Sequence, residues 1–187
     1  MTFEELSTVR YTQRSYDTKP VEDEKIQKIL QAGRVAPTAK NNQPQKVYVV
    51  QSPAAMEKLR ALTPCHYNAP LAMIICYDKN QEWHNPTDET ITSGVEDASI
   101  VATHMMLQAA DLGVHSTWVN MFNPDETRKA FDLPENEVPV LLMMFGYPTA
   151  SAAPAPTPPC AATPCAAKPV PPKPAITRKR PPMPTVL

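Results

Sequence analysis

The chain has 187 residues, 42% of them hydrophobic, and a formal net charge of -1. That is enough apolar material for one domain with a real core, and it gives no chain-wide basic footprint for nucleic acid. The opening residues carry no secretory signal and the apolar runs are too short to span a bilayer, so a cytoplasmic location is expected, with Cys65, Cys76, Cys160 and Cys165 as free thiols.

The first predicted element is a short helix, in which Thr2 and Glu5 form a capping-box pattern and Phe3, Leu6 and Val9 share an apolar side. "PVEDEKIQKILQAG" opens with acids suited to a helix N-terminus and carries Ile26, Ile29 and Leu30 at helical spacing. A loop, "APTAKNNQPQ", leads into the strand "KVYVVQ". "SPAAMEKLRAL" has a Ser cap followed by Pro at the first helical position, and "LAMIICYD" reads as a buried strand with Cys76 packed in the core. "GVEDASIVATHMMLQAADLG" is the strongest helix. Its apolar stripe runs from Val95 through Ala98, Val101, Ala102 and Met105 to Leu112, with Glu96, Asp97, His104, Gln108 and Asp111 opposite. "HSTWVN" is a strand, "NPDETRKAF" a capped helix and "VPVLLMMFG" a buried strand. Helices and strands mix without strict alternation over residues 2–148, which predicts an α+β domain.

From 149 to 187 the composition turns to Ala and Pro. Proline lacks a donor and fixes φ, so this tail is expected to be extended, in polyproline conformation. It is also basic: no Asp or Glu follows Glu137, while Lys168, Lys173, Arg178, Lys179 and Arg180 do. The closing "ITRKRPPMPTVL" regains apolar residues that could dock.

The chain has four glycines, with neither a G-x-G-x-x-G nor a G-K-[ST] motif, so a bound phosphate would not sit in a glycine-rich loop. "CAATPC" lacks a second ligand pair, and two ligands do not close a tetrahedral metal shell. His66, His84, His104 and His115 are scattered and no Ser-His-Asp arrangement emerges, so no catalytic side chain is assigned. Trp83 and Trp118 read as packing, Trp118 also as a candidate pocket wall. Two stretches remain. In "TVRYTQRSYDTKP", Arg10, Tyr11, Thr12 and Arg14 follow the first helix. Read alone, the arginines complement the helix dipole; two forks around a hydroxyl also suit a phosphate monoester. Asn41, Asn42 and Gln43 form an amide row between Pro37 and Pro44. Such a row is equally a turn that caps its own backbone and a set of donors and acceptors able to read a flavin's polar edge.

Taken together, these stretches resemble the FMN-dependent nitroreductase-like oxidoreductases. "RYTQRSY" is similar to that family's basic motif at Arg10, Thr12, Arg14 and Tyr16, and "APTAKNNQPQ" matches its Ala-Pro-Ser-x-x-Asn-x-Gln-Pro pattern at Ala36, Pro37, Thr38, Asn41, Gln43 and Pro44. "LQAADLGVHSTWVNMF" and "FGYP" follow in the family's order. The resemblance implies a nitroreductase-like fold, a mixed central sheet flanked by helices. It implies FMN as cofactor and NADH or NADPH as donor, with hydride passing to the flavin and then, in a ping-pong sequence, to a nitroaromatic, quinone or related small-molecule acceptor. Arg10 and Thr12, with Tyr11 between them, would hold the phosphate. Arg14 would face the pyrimidine edge, where reduction creates negative charge. Pro37, Thr38, Asn41 and Gln43 would contact the ring, and Asn120 and Met121 its N5 region. The family's site lies at a homodimer interface, so part of the 95–112 stripe would pack on a second chain. Lys40 stands where a small residue is usual and Gln45 where Trp is usual. Arg178 or Arg180 could take the place of a family arginine that reaches the phosphate.

Two alternatives stand beside this reading. One is another flavin reaction on the same fold. The other is a non-enzymatic flavin-binding scaffold whose tail recruits a partner through "RKRPPMP", a pattern read by aromatic grooves. Nucleic-acid and membrane partners are not expected.

Overall fold

The central strands arise from the long apolar runs, and the longer helices from the segments with helical periodicity. A computed structural model describes residues 1–149. The elements are α1 (Phe3–Val9), α2 (Asp23–Arg34), β1 (Gln45–Val50), α3 (Pro53–Leu62), β2 (Leu71–Asp78), β3 (His84–Asn85), β4 (Asp88–Thr92), α4 (Gly94–Asp111), β5 (His115–Val119), α5 (Pro124–Ala130) and β6 (Glu137–Gly146). Residues 150–187, and with them Arg178 and the expected extended tail, lie outside the described residues.

The main sheet has the order β1-β2-β6-β5, and every neighbouring pair is antiparallel. A parallel bridge, Thr12 to Ser116, lays the segment after α1 along β5 and makes the sheet mixed at that edge. β2 and β6 lie at the centre. Side chains alternate between faces along them, as strand geometry requires. Leu71, Met73, Ile75, Leu141, Met143 and Phe145 pack with α2 and α4. Ala72, Ile74, Cys76, Leu142 and Met144 pack on the other face with Met56 and Leu59 of α3 and with Leu133 after α5. Helices on both faces explain why these antiparallel strands read as continuous apolar runs. The register slips between Ile75 and Cys76, opposite Pro139, where proline has no amide to give the ladder.

α2 and α4 approach closely at Gly33, where a Cβ would come within 2.8 Å of Met105 Sδ. α4 forms the rigid rod of its layer, with Ala98, Val101, Ala102, Met105 and Ala109 fully buried.

Four features differ from the expectation. Asp97, placed on the polar side of α4, is buried, because the loop after α2 folds over it. Val95, placed in the apolar stripe, is 56% exposed, and α1 buries none of its residues. The β3–β4 hairpin is mostly polar and exposed, with Ile91 its one apolar strand residue and no apolar alternation, and so left no strand signal. No helix among the described residues is long and apolar enough to cross a membrane.

Candidate active site

The first group of candidate residues is built where α1 ends. Arg10 caps the helix, its N–H donating to the Leu6 carbonyl at 3.1 Å, and the chain then extends. The Gln13 N–H donates to the Ser116 carbonyl at 3.1 Å, and the Thr117 hydroxyl donates to the Gln13 carbonyl. These bonds hold residues 10–14 against β5. Arg10 and Tyr11 border a cavity of about 210 Å³ together with Ala110, His115 and Ser116. The Tyr11 ring lies 4.8 Å from that of His115, tilted by 55°. Burial lowers the His115 pKa from its ordinary value. Beneath the segment, the buried Tyr16 hydroxyl lies 2.7 Å from Thr117 Oγ1 and donates to the Met144 carbonyl at 3.2 Å.

Thr12 and Arg14 are exposed. The Arg14 guanidinium lies beside the Tyr67 hydroxyl. A hydrogen bond to Cys65 and burial push the Tyr67 phenol up, and Arg14 opposes them. Cys65 Sγ is 3.9 Å from Met121 Sδ, and the Thr63 hydroxyl donates to the Met121 carbonyl at 2.7 Å. A chain of contacts thus runs from Arg14 through Tyr67 and Cys65 to Met121, which is 65% exposed. Asn120, at the end of β5, accepts from Trp118 Nε1 at 2.6 Å. Arg10, Tyr11, Thr12, Arg14, Asn120 and Met121 therefore all lie along β5 and the segment beside it.

The second group is the loop after α2. Thr38 Oγ1 accepts from the Gln43 N–H at 3.0 Å and the Thr38 carbonyl from the Asn41 N–H at 2.9 Å. Lys40, Asn41 and Gln43 have φ of 51°, 58° and 51°, the left-handed region that side chains other than glycine seldom occupy. Gln43 Nε2 donates to Asn41 Oδ1 at 3.0 Å, which leaves the Asn41 amide nitrogen and Gln43 Oε1 as an exposed donor and acceptor. The row thus both caps its own backbone and presents polar atoms outward. Pro37 is exposed at its start. Asp97 ties the loop to α4, Oδ1 accepting from the Ala39 N–H at 2.8 Å.

The two groups sit at opposite ends of α4. The loop is held at Asp97, and the Arg10 cavity reaches Ala110. At about 1.5 Å per helical residue they are about 20 Å apart along the helix. None of the hydrogen bonds among the described residues joins them.

Sequence reasoning missed Asp97, Tyr67 and the turn Pro64–His66. The turn had a usable signal, Thr63 before Pro64, and Thr63 Oγ1 does accept from the Cys65 N–H at 3.1 Å.

Residues 8–71 and 62–147 match the family model described as "Nitroreductase family". The chain belongs to the nitroreductase family. Among solved structures, this nitroreductase-family chain is similar to a nitroreductase family protein from Clostridium difficile, at 42% identity and a TM-score of 0.79, covering 83% of this chain and 88% of that one. An FMN-dependent nitroreductase of Clostridium difficile is similar at 28% identity and a TM-score of 0.65, over 80% of this chain and 90% of that one. An Archaeoglobus fulgidus protein of the NADH dehydrogenase/NAD(P)H nitroreductase class is 33% identical over 155 residues, 78% of this chain and 86% of its own. An FMN reductase [NAD(P)H] of Bacillus subtilis is 28% identical over 78% of this chain and 66% of its own length.

Proposed function

We propose that this nitroreductase-family protein is an FMN-dependent NAD(P)H oxidoreductase, reducing nitroaromatic, quinone or related acceptors, and that each flavin site is composed from two copies of the chain. The observation that carries the oxidoreductase reading is the match of residues 8–71 and 62–147 to the nitroreductase family, and the separation of the two candidate groups along α4 carries the two-copy site. The ribityl phosphate arm of a flavin is shorter than that separation, so a ring read by 37–43 and a phosphate held at Arg10 fit a site whose second group comes from a neighbouring chain.

The residues fit the cofactor chemically. Arg10 and Arg14 enter none of the ion pairs among the described residues, so no carboxylate there neutralises either guanidinium and both can attract an anion. Arg10 and Thr12 bind the phosphate, with Tyr11 and His115 walling it. Arg14 supplies positive charge at the pyrimidine edge. Asn41 and Gln43 offer a donor and an acceptor to that edge, Pro37 and Thr38 support the ring, and Asn120 and Met121 bound its reactive side. When bound, the flavin supplies hydride exchange between nicotinamide and acceptor, and the protein positions and tunes it.

Uncovered apolar surface supports the second copy. Phe3 and Val35 are 71% and 66% exposed, and a cavity of about 690 Å³ between α1, α2 and α4 is lined by Phe3, Leu6, Ala32, Val35 and Leu107 among others. Contiguous apolar surface of this kind marks an interaction face.

The test is to reconstitute the purified protein with FMN and follow flavin absorbance as NADH or NADPH is added under nitrogen. Uptake of FMN and bleaching by the nucleotide support the reading; a colourless protein that ignores FMN contradicts it. Arg10→Ala removes a charge-assisted bond, and FMN affinity is expected to fall about tenfold to a hundredfold.

A further inference from the structure

We infer that Asp97 is a positioning residue for the ring-facing loop, setting where Asn41 and Gln43 stand; the inference rests on the FMN reading above. Asp97 is 2% exposed. A buried carboxylate is costly unless its oxygens are bonded. Both are: Oδ1 accepts from the Ala39 N–H at 2.8 Å and Oδ2 from the Ser93 hydroxyl at 2.7 Å. Ser93 Oγ in turn accepts from the Trp83 N–H at 3.1 Å. One carboxylate thus ties together the loop after α2, the N-terminal turn of α4 and the root of the β3–β4 hairpin.

Helix-dipole compensation does not account for this burial. Glu96, also in the first turn of α4, supplies negative charge from an exposed position. What Asp97 adds is reach across to a residue 58 positions earlier in the chain. That residue, Ala39, immediately precedes Lys40 and Asn41 with their positive φ. Such conformations persist where surrounding bonds over-determine them. The bond from Gln43 N–H to Thr38 Oγ1 is internal and fixes the loop's shape. The Asp97 bond is external, and fixes that shape against the rod that also borders the Arg10 cavity.

The experiment compares Asp97→Ala and Asp97→Asn with wild type in three measurements: hydrogen exchange of the FMN-free protein, FMN affinity by quenching of flavin fluorescence, and the visible spectrum of the bound flavin. Asp97→Ala is expected to speed exchange across 39–43 while the β2 and β6 amides stay protected. It is expected to weaken FMN binding about tenfold to a hundredfold and to move the spectrum toward that of free FMN. Asp97→Asn keeps an oxygen for the Ala39 N–H and is expected to retain most of the loop protection, the FMN affinity and the bound-flavin spectrum. Unchanged loop exchange and FMN affinity in Asp97→Ala overturn the inference while the FMN reading stands. So does loss of β2 and β6 protection in both variants, which would make Asp97 a general folding residue. A wild-type protein that refuses FMN overturns the reading of function and this inference with it.

Discussion

His115 borders the Arg10 cavity under the Tyr11 ring, and burial holds its imidazole neutral to a lower pH than usual. Its pKa lies below the ordinary 6.5 in the folded chain, so just below that pH the unfolded chain binds more protons. The His115 contribution to stability is therefore complete above about pH 6.5 and is lost as pH falls toward the folded value. Urea midpoints at about pH 7.5 and about pH 5.5 should show this loss in wild type and a smaller one in His115→Phe. Identical pH dependence in both proteins would remove His115 from the explanation. At this scale the sequence was legible where one short-range rule decides. The Thr2–Glu5 capping box forms with both bonds, at 3.2 and 2.8 Å. Asp97 was not legible, because a solvated carboxylate and a buried one occupy the same place in a helical repeat. Only the loop packed over it distinguishes them.

α4 shows how an element can be read from its spacing and still keep its partners hidden. Its existence and most of its buried stripe follow from periodicity, but its start depends on close packing. A Cβ on Gly94 would collide with the Tyr77 ring and come within 2.6 Å of the Glu82 carboxylate, which accepts the Gly94 N–H. Gly94→Ala is expected to cost on the order of 1–3 kcal/mol in urea unfolding, and a variant as stable as wild type would refute the crowding argument. α5 is simpler: Asn123 Oδ1 accepts from the N–H groups of Asp125 and Glu126 at 3.0 and 3.2 Å. Asn123→Ala should lose about 1 kcal/mol by the same measurement, and no loss would mean the cap is not stabilising. Strands β2 and β6 were plain because both faces are covered. The β3–β4 hairpin was not, because neither face packs on the core and no alternation is required of it.

For the whole molecule, the α+β class followed from the order of elements, and the nitroreductase family from motifs in register. Strand order and the distance between motifs did not, since both depend on long-range pairing. The consequence falls on the site. Phe3 and Val9 of α1 are both exposed, and no residue of that helix is buried within the chain. The amide loop and the Arg10 cavity lie at opposite ends of α4. The composite-site account is tested most directly by mixing two disabled chains. Arg10→Ala and Asn41→Ala chains, carrying different tags, are co-expressed, and the mixed dimer is isolated and titrated with FMN. The account predicts that each parent dimer binds FMN weakly, whereas the mixed dimer binds one FMN with wild-type affinity, because one of its two sites draws both intact residues from different chains. A mixed dimer that binds no better than its parents would contradict it.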